Sequence, residues 1–233
     1  MTPAPDWFRA LPTDRLMLEL SLWSADLARL ADDLARTASA ADLYHVDVAD
    51  GHFAPALLFF PDLVAAVRKR TAVPLHVHLM AADPVLPAQI DQFADAGADL
   101  ISVHAENGAV DEQLDHIARR GVAAGVVLQL HTPVPAAAPW LDRVRFVTLL
   151  GTAIGVKGQG LAPEAEARLR EARALASGAG HRVVVAADGG IREHTVPALR
   201  AAGADTVVMG SLAFAAPDLG ARVAWARGLG ARA

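Results

Sequence analysis

The chain contains no cysteine, which excludes disulfides, thiolate nucleophiles and sulfur-ligated metal sites. Any metal ion must therefore be held by histidine, aspartate or glutamate. Lysine is nearly absent as well: only Lys69 and Lys157 are lysines among the 21 basic residues. No basic run exists and the formal net charge is −5, which argues against nucleic acid as a partner. Long apolar runs are missing too. Stretches such as Val183–Ala187 are far too short to span a bilayer, so no membrane association is expected. Met1–Asp14 carries Asp6, Arg9 and Asp14 among prolines and offers no apolar signal-peptide core. The reading is a short N-terminal extension and a cytoplasmic protein.

What the chain has is apolar surface and alternation. Hydrophobic residues make up 53% of 233 residues, enough to build one large core. Short β-rich runs recur at Leu16–Trp23, Leu43–Val48, Leu75–Met80, Leu100–His104, Ala124–Gln129, Phe146–Leu150, Val183–Ala187 and Thr206–Met209. Helical candidates separate them: Ala25–Thr37, Pro61–Arg70, Pro84–Ala96, Val110–Arg120, Ala136–Leu141, Ala165–Ala179 and Thr195–Ala202, with Leu219–Arg227 last. The motif A-G-A-D occurs at Ala96–Asp99 and Ala202–Asp205, where glycine stops a helix just before the next strand. Strands apolar on both faces indicate a parallel sheet covered by helices. Eight such units in succession predict an α/β fold with a single closed (β/α)8 TIM barrel over residues 16–228, preceded by an extension over 1–15.

Catalytic groups in such a barrel project from the C-terminal ends of the strands. Polar residues gather there. The first run carries Ser21, the second reads H-V-D-V-A-D-G-H-F, the third ends H-V-H-L-M and the fourth V-H-A-E; the seventh ends A-D-G-G-I and the eighth M-G-S. His45 and Asp47 are two apart and share a face of the strand, as do His76 and His78. A histidine and a carboxylate facing a barrel interior are costly unless paired or metal-bound. His45, Asp47, His78 and Asp188 thus form a candidate four-ligand N/O site for one divalent ion, Zn²⁺, Fe²⁺ or Mn²⁺. His104 and Glu106 are candidates for support behind the ligands or for packing.

Phosphate binding needs backbone N–H donors and small residues that permit close approach. Gly189-Gly190 follow the seventh run and Gly210-Ser211 the eighth, where barrels commonly hold phosphate. The loop after the sixth run adds Gly151, Gly155, Gly158 and Gly160, with Lys157 among them.

At these residues the chain resembles the ribulose-phosphate 3-epimerase family, from about Leu20 to Pro217. The resemblance rests on S-L-W-S-A-D-L-A-R-L (Ser21–Leu30), H-V-D-V-A-D-G-H-F-A-P (His45–Pro55), V-H-L-M (Val77–Met80), D-G-G-I (Asp188–Ile191) and M-G-S-L-A-F (Met209–Phe214). It implies a phosphate-binding barrel of the ribulose-phosphate type, with one divalent metal on His45, Asp47, His78 and Asp188. It also implies that Asp47 and Asp188 act as acid and base and that Ser21 contacts a small sugar-phosphate substrate. The expected reaction is epimerisation at C3 of a ketose phosphate through an enediolate, and a homo-oligomer is expected. Inverting a carbon beside a ketone requires carboxyl groups on opposite faces of a flat intermediate, with their pKa values pushed apart.

Departures from the family pattern fall at the pocket. Ala49 and Leu150 stand where the family has methionines, leaving Met80 retained; Ala56 replaces an asparagine. The family's N-P-G-F-G-G-Q loop reads A-I-G-V-K-G-Q (Ala153–Gln159), with Lys157 in place of a glycine. Lys157 is read as a partner for the substrate phosphate. Two other readings stay open: a Schiff-base aldolase using Lys157, and a barrel that binds a sugar phosphate without turnover.

Overall fold

The computed structural model describes residues 1–230. Strands β1 (Met17–Ser21), β2 (Leu43–Ala49), β3 (Leu75–Met80), β4 (Leu100–His104), β5 (Ala123–Leu128), β6 (Phe146–Leu150), β7 (Val184–Asp188) and β8 (Thr206–Met209) pair in parallel and in chain order. β8 closes on β1, so the sheet is a barrel with no free edge. The register sets Ser21 beside His45, Asp47 beside His78 and Leu150 beside Asp188. The chain is therefore a single (β/α)8 barrel. No helix among the described residues is long and apolar enough to cross a membrane.

Alternation along each strand builds two different interiors. Leu18, Leu20, Val46, Val48, Val77 and Leu79 belong to the outer core, where they share one cluster with Leu34, Val64, Ile90 and Leu114 of the helices. Those helices are α2 (Leu30–Thr37), α3 (Pro61–Arg68), α4 (Leu86–Asp95) and α5 (Val110–Arg119), preceded in the chain by the short α1 (Trp7–Ala10). Inside the barrel, Met17, Leu43, Leu100, Phe146, Val184 and Ala186 make a separate apolar cluster near the strand N-termini. Further along the strands polar side chains replace them: Glu19, His45, His76, Ser102 and Thr148 are all 0% exposed.

Residues 7–11 pack against that lower apolar cluster. Trp7 and Phe8 of α1 lie on it and Leu11 is part of it. Arg182 donates to the carbonyls of Leu11 (2.9 Å) and Pro12 (2.7 Å), holding the segment in place.

The aspartates that precede the strands recur in one role. Asp42, Asp99 and Asp205 accept the backbone N–H of Leu18, Leu75 and Val185, each in the preceding strand, at 2.9, 2.8 and 2.8 Å. Asp99 and Asp205 also pair with Arg68 and Arg173. The A-G-A-D motif thus does more than stop a helix: its aspartate ties two neighbouring strands together.

Two segments differ from their expected form. The helix expected over Ala136–Leu141 is a 3₁₀ stretch over Val134–Trp140, because Pro135 and Pro139 lack the N–H that α-helical turns require. After β1, 3₁₀ turns at Leu22–Ser24 and Leu27–Arg29 precede α2, which starts at Leu30 rather than Ala25. The Asp26 carboxylate accepts Ala28 N–H at 3.1 Å and holds the second turn. The remaining helices are α6 (Ala165–Ser177), α7 (Val196–Ala201), α8 (Ser211–Phe214) and α9 (Leu219–Arg227).

Candidate active site

A cavity of about 420 Å³ opens at the C-terminal ends of the strands. Asp47, His78 and Asp188 line its floor with Ser21 and Met80, while Gly155, Lys157, Gly158, Gly189, Gly190, Gly210 and Ser211 line its upper wall. His45 lies immediately beneath, fully buried. Trp23, Thr152 and Arg192 also line the cavity and were not anticipated.

His45, Asp47, His78 and Asp188 present one ligand atom each, all within 4.8 Å of one another. His45 Nε2 is 3.1 Å from Asp47 Oδ1 and 3.7 Å from Asp188 Oδ2. His78 Nδ1 is 3.4 Å from Asp47 Oδ1 and 3.8 Å from Asp188 Oδ2. Ligands about 2.1 Å from a tetrahedral ion stand about 3.4 Å apart, so this set fits a divalent ion with little adjustment. The ion pairs of Asp47 and Asp188 are with these histidines alone among the described residues. A buried carboxylate, Asp47, and a largely buried one, Asp188, with no lysine or arginine partner call for a cation.

Hydrogen bonding fixes the rings. His104 Nδ1–H donates to Glu106 Oε2 at 2.9 Å, so a neutral His104 has Nε2 as an acceptor. His78 Nε2–H fills it at 2.8 Å, which leaves the His78 Nδ1 lone pair facing the centre. Burial, reinforced by His78, holds His104 down to about 4 and keeps it neutral. Glu106 is opposed by burial but held near 2 by His104, Thr132 and the Gln129 N–H. On the other side Glu19 Oε1 accepts from His45 Nδ1 (2.7 Å) and from His76 Nδ1. Burial works against the Glu19 charge, yet the two histidines bring it down to about 2.

The two aspartates differ although both are enclosed. Burial resists the Asp47 charge, but His45 and His78 outweigh it and hold Asp47 well below the usual carboxylate range. Ser21 Oγ–H also donates to Asp47 Oδ2 at 2.8 Å. Asp188 is raised, mainly by burial and further by the negative Asp47, against the pull of His45 and His78. Burial favours neutral His45, but Asp47 and Glu19 overcome it and raise the ring well above its ordinary value. These surroundings thus favour positive charge on the His45 ring and negative charge on Asp47.

Above the floor, Gly189 and Gly190 have φ of +86° and +70°, a left-handed pair that L side chains rarely adopt. A Cβ on Gly190 would stand 2.7 Å from the Leu161 backbone. Lys157 Nζ donates to the Trp23 carbonyl and lies 4.7 Å from the centre of the Trp23 ring. Burial lowers its pKa. Lys157 therefore spans the cavity rim from the loop after β6 to the loop after β1.

The fold and site define a barrel enzyme with paired carboxylates and a metal-competent floor beneath a glycine-rich rim. A family model described as "Ribulose-phosphate 3 epimerase family" matches residues 17–214. Ribulose-phosphate 3-epimerase 1 of Cupriavidus necator is 39% identical over 209 residues, covering 87% of this chain and 86% of its own. The ribulose-phosphate 3-epimerase of Bacillus subtilis is 37% identical, with 85% and 92% covered. Two solved structures share the fold: orotidine 5′-phosphate decarboxylase from Pyrococcus horikoshii OT3 and a 3-hexulose-6-phosphate synthase. Their TM-scores are 0.65 and 0.64 at 16% and 20% identity, covering 91% and 93% of this chain and 97% and 100% of theirs. The chain belongs to the ribulose-phosphate 3-epimerase family, and it is an enzyme of the epimerase class.

Proposed function

We propose that this enzyme interconverts the C3 epimers of a ketose phosphate, ribulose 5-phosphate and xylulose 5-phosphate or a close relative, using Asp47 and Asp188 as the proton-transfer pair. The observation that carries the reading is the placing of two carboxyls from separate strands, Asp47 of β2 and Asp188 of β7, on one cavity floor, where their surroundings drive Asp47 down and Asp188 up. One group is then ready to accept a proton from C3 while the other is ready to deliver one to the opposite face. In the reverse direction the roles exchange. His45, Asp47, His78 and Asp188 would hold one divalent ion, Zn²⁺, Fe²⁺ or Mn²⁺, which when bound supplies electrostatic stabilisation to the enediolate oxygen. Ser21 fixes one oxygen of Asp47 and leaves the other toward the ligand set.

The rim supplies the remaining recognition. The backbone at Gly189-Gly190 and Gly210-Ser211, with Gly155 and Gly158 on the same wall, would receive the phosphate. Met80 lines the cavity floor and would face the bound sugar. A soluble, cytoplasmic homo-oligomer remains our expectation for the assembly. The test is to incubate the metal-loaded protein in D₂O with a panel of pentulose and hexulose phosphates and follow deuterium at C3. Uptake into one of them identifies the substrate. No exchange with any ketose phosphate that binds would favour the reading without turnover.

A further inference from the structure

Barrel interiors are ordinarily filled with branched apolar side chains. Here one layer below the cavity floor is polar instead, and it is built around Glu19. Oε1 of this 0% exposed side chain accepts from Nδ1 of both His45 and His76. His76 Nε2 accepts from Ser102 Oγ at 2.7 Å. Gly125 makes the room, since a Cβ there would run into Ser102 Oγ. Every proton in this chain of contacts has one consistent place: Ser102 gives to His76, and both rings give to Glu19. Glu19 Oε2 has no hydrogen-bond partner. A buried carboxylate with one oxygen unsatisfied is a poor way to stabilise a core, because apolar side chains of equal volume do so without the desolvation cost.

We propose that Glu19 is a positioning residue for the metal centre: it fixes the tautomer and plane of His45 so that Nε2 faces the ion, and His76 with Ser102 holds Glu19 in turn. This inference rests on the metal site proposed above. Carboxylates behind ligating histidines commonly serve this purpose, orienting the ring and raising its basicity. The alternative, that Glu19, His45 and His76 themselves enclose a second ion, fits less well. Glu19 Oε1 and His45 Nδ1 are 2.7 Å apart, a hydrogen-bond separation and shorter than the about 3.4 Å between ligands of one tetrahedral ion.

The test compares wild type, Glu19→Gln and Glu19→Ala, loaded with Co²⁺ after chelation and followed by absorption and chelator competition. Glu19→Gln keeps the size and the accepting oxygen but removes the charge, so it is the variant expected to fold; melting of the metal-free proteins checks this. Wild type should take up about one Co²⁺ per chain. Glu19→Gln should bind it about 10-fold more weakly and Glu19→Ala up to about 100-fold more weakly, the usual range for a partner behind a ligand. The Co²⁺ absorption of Glu19→Ala should also shift as His45 loses its orientation. A purely structural role would lower the melting temperature of the variants while leaving the Co²⁺ affinity of Glu19→Gln at the wild-type value, and that result overturns the proposal. Two ions per wild-type chain would overturn it in favour of a second site. A wild-type chain that binds no Co²⁺ would overturn the metal centre itself, and the inference with it.

Discussion

At the scale of single residues, Asp47 and Asp188 share a floor and two histidine neighbours, yet their surroundings drive them in opposite directions. Asp47 has the Ser21 hydroxyl on one oxygen and His45 on the other, whereas the only pairings of Asp188 with these rings are longer, at 3.7 and 3.8 Å. Asp47→Asn and Asp188→Asn should each lower turnover at least ~100-fold, the usual scale for a general acid or base. Metal content measured on the same samples separates loss of a proton-transfer group from loss of the ion. Turnover near wild type in either variant with the metal retained would remove that residue from the pair. Lys157 is a different case, because its ammonium is held by the Trp23 carbonyl and ring at the rim. Recruited to a substrate phosphate, it contributes to ground state and transition state alike. Lys157→Ala should therefore raise KM about 5- to 30-fold, equivalent to about 1–2 kcal/mol, with kcat little changed. The lowered pKa of Lys157 is also what an aldolase lysine needs, so borohydride treatment with substrate is informative. Covalent trapping at Lys157 would replace the epimerase reading.

At the scale of elements, the strands and their polar ends were legible because a buried parallel strand leaves two plain marks, an apolar run and a polar residue where it meets the cavity. Asp188, read at the end of the seventh strand, is the last residue of β7, and His45, Asp47 and His78 fall on β2 and β3 as alternation requires. What could not be read was anything that depends on neighbours far away in the chain. Glu19 sits two residues before Ser21 and so on the same face, but a lone glutamate in an apolar strand announces no partner; His45 and His76 lie 26 and 57 residues on. The A-G-A-D motif shows the same limit. Its glycine marks a helix end locally, while the role of its aspartate appears only with the preceding strand in place. Asp99 accepts Leu75 N–H and pairs with Arg68, whose side chain is 9% exposed. Asp99→Ala would strand that guanidinium, leaving it only the Thr71 and Val73 carbonyls. The expected loss is about 3 kcal/mol in urea unfolding, the range for removing one partner of a nearly buried pair. A loss below about 1 kcal/mol would mean that water replaces the carboxylate there.

At the scale of the whole molecule, the two ends of the barrel are built differently. The proposed chemistry belongs to the C-terminal end, where polar side chains displace the apolar filling around the cavity. The opposite end is closed by Phe8 and Leu11 from the segment before β1, packed on Met17, Phe146 and Val184. Arg182 secures that segment through the Leu11 and Pro12 carbonyls, and its guanidinium stands 5.5 Å from the Phe8 ring centre. The segment is read from sequence alone as an extension because it is short and rich in proline, and no local pattern ties it to strands over a hundred residues away. We predict that it belongs to the stable unit. Leu11→Ala removes a 6% exposed side chain from the lower cluster and should cost about 2–3 kcal/mol. For a chain of this size that is a fall of about 5–10 °C in Tm. Removing residues 1–12 should cost more, since Trp7, Phe8 and the acceptors for Arg182 go with it. Because the plug touches the lower cluster and not the ligand set, metal content and kcat of the protein that stays folded should be unchanged in Leu11→Ala. Melting curves and metal analysis of the two variants decide the matter. An unchanged Tm would show the segment to be dispensable, and loss of metal from folded Leu11→Ala would show that the two ends of the barrel are coupled through its polar middle layer.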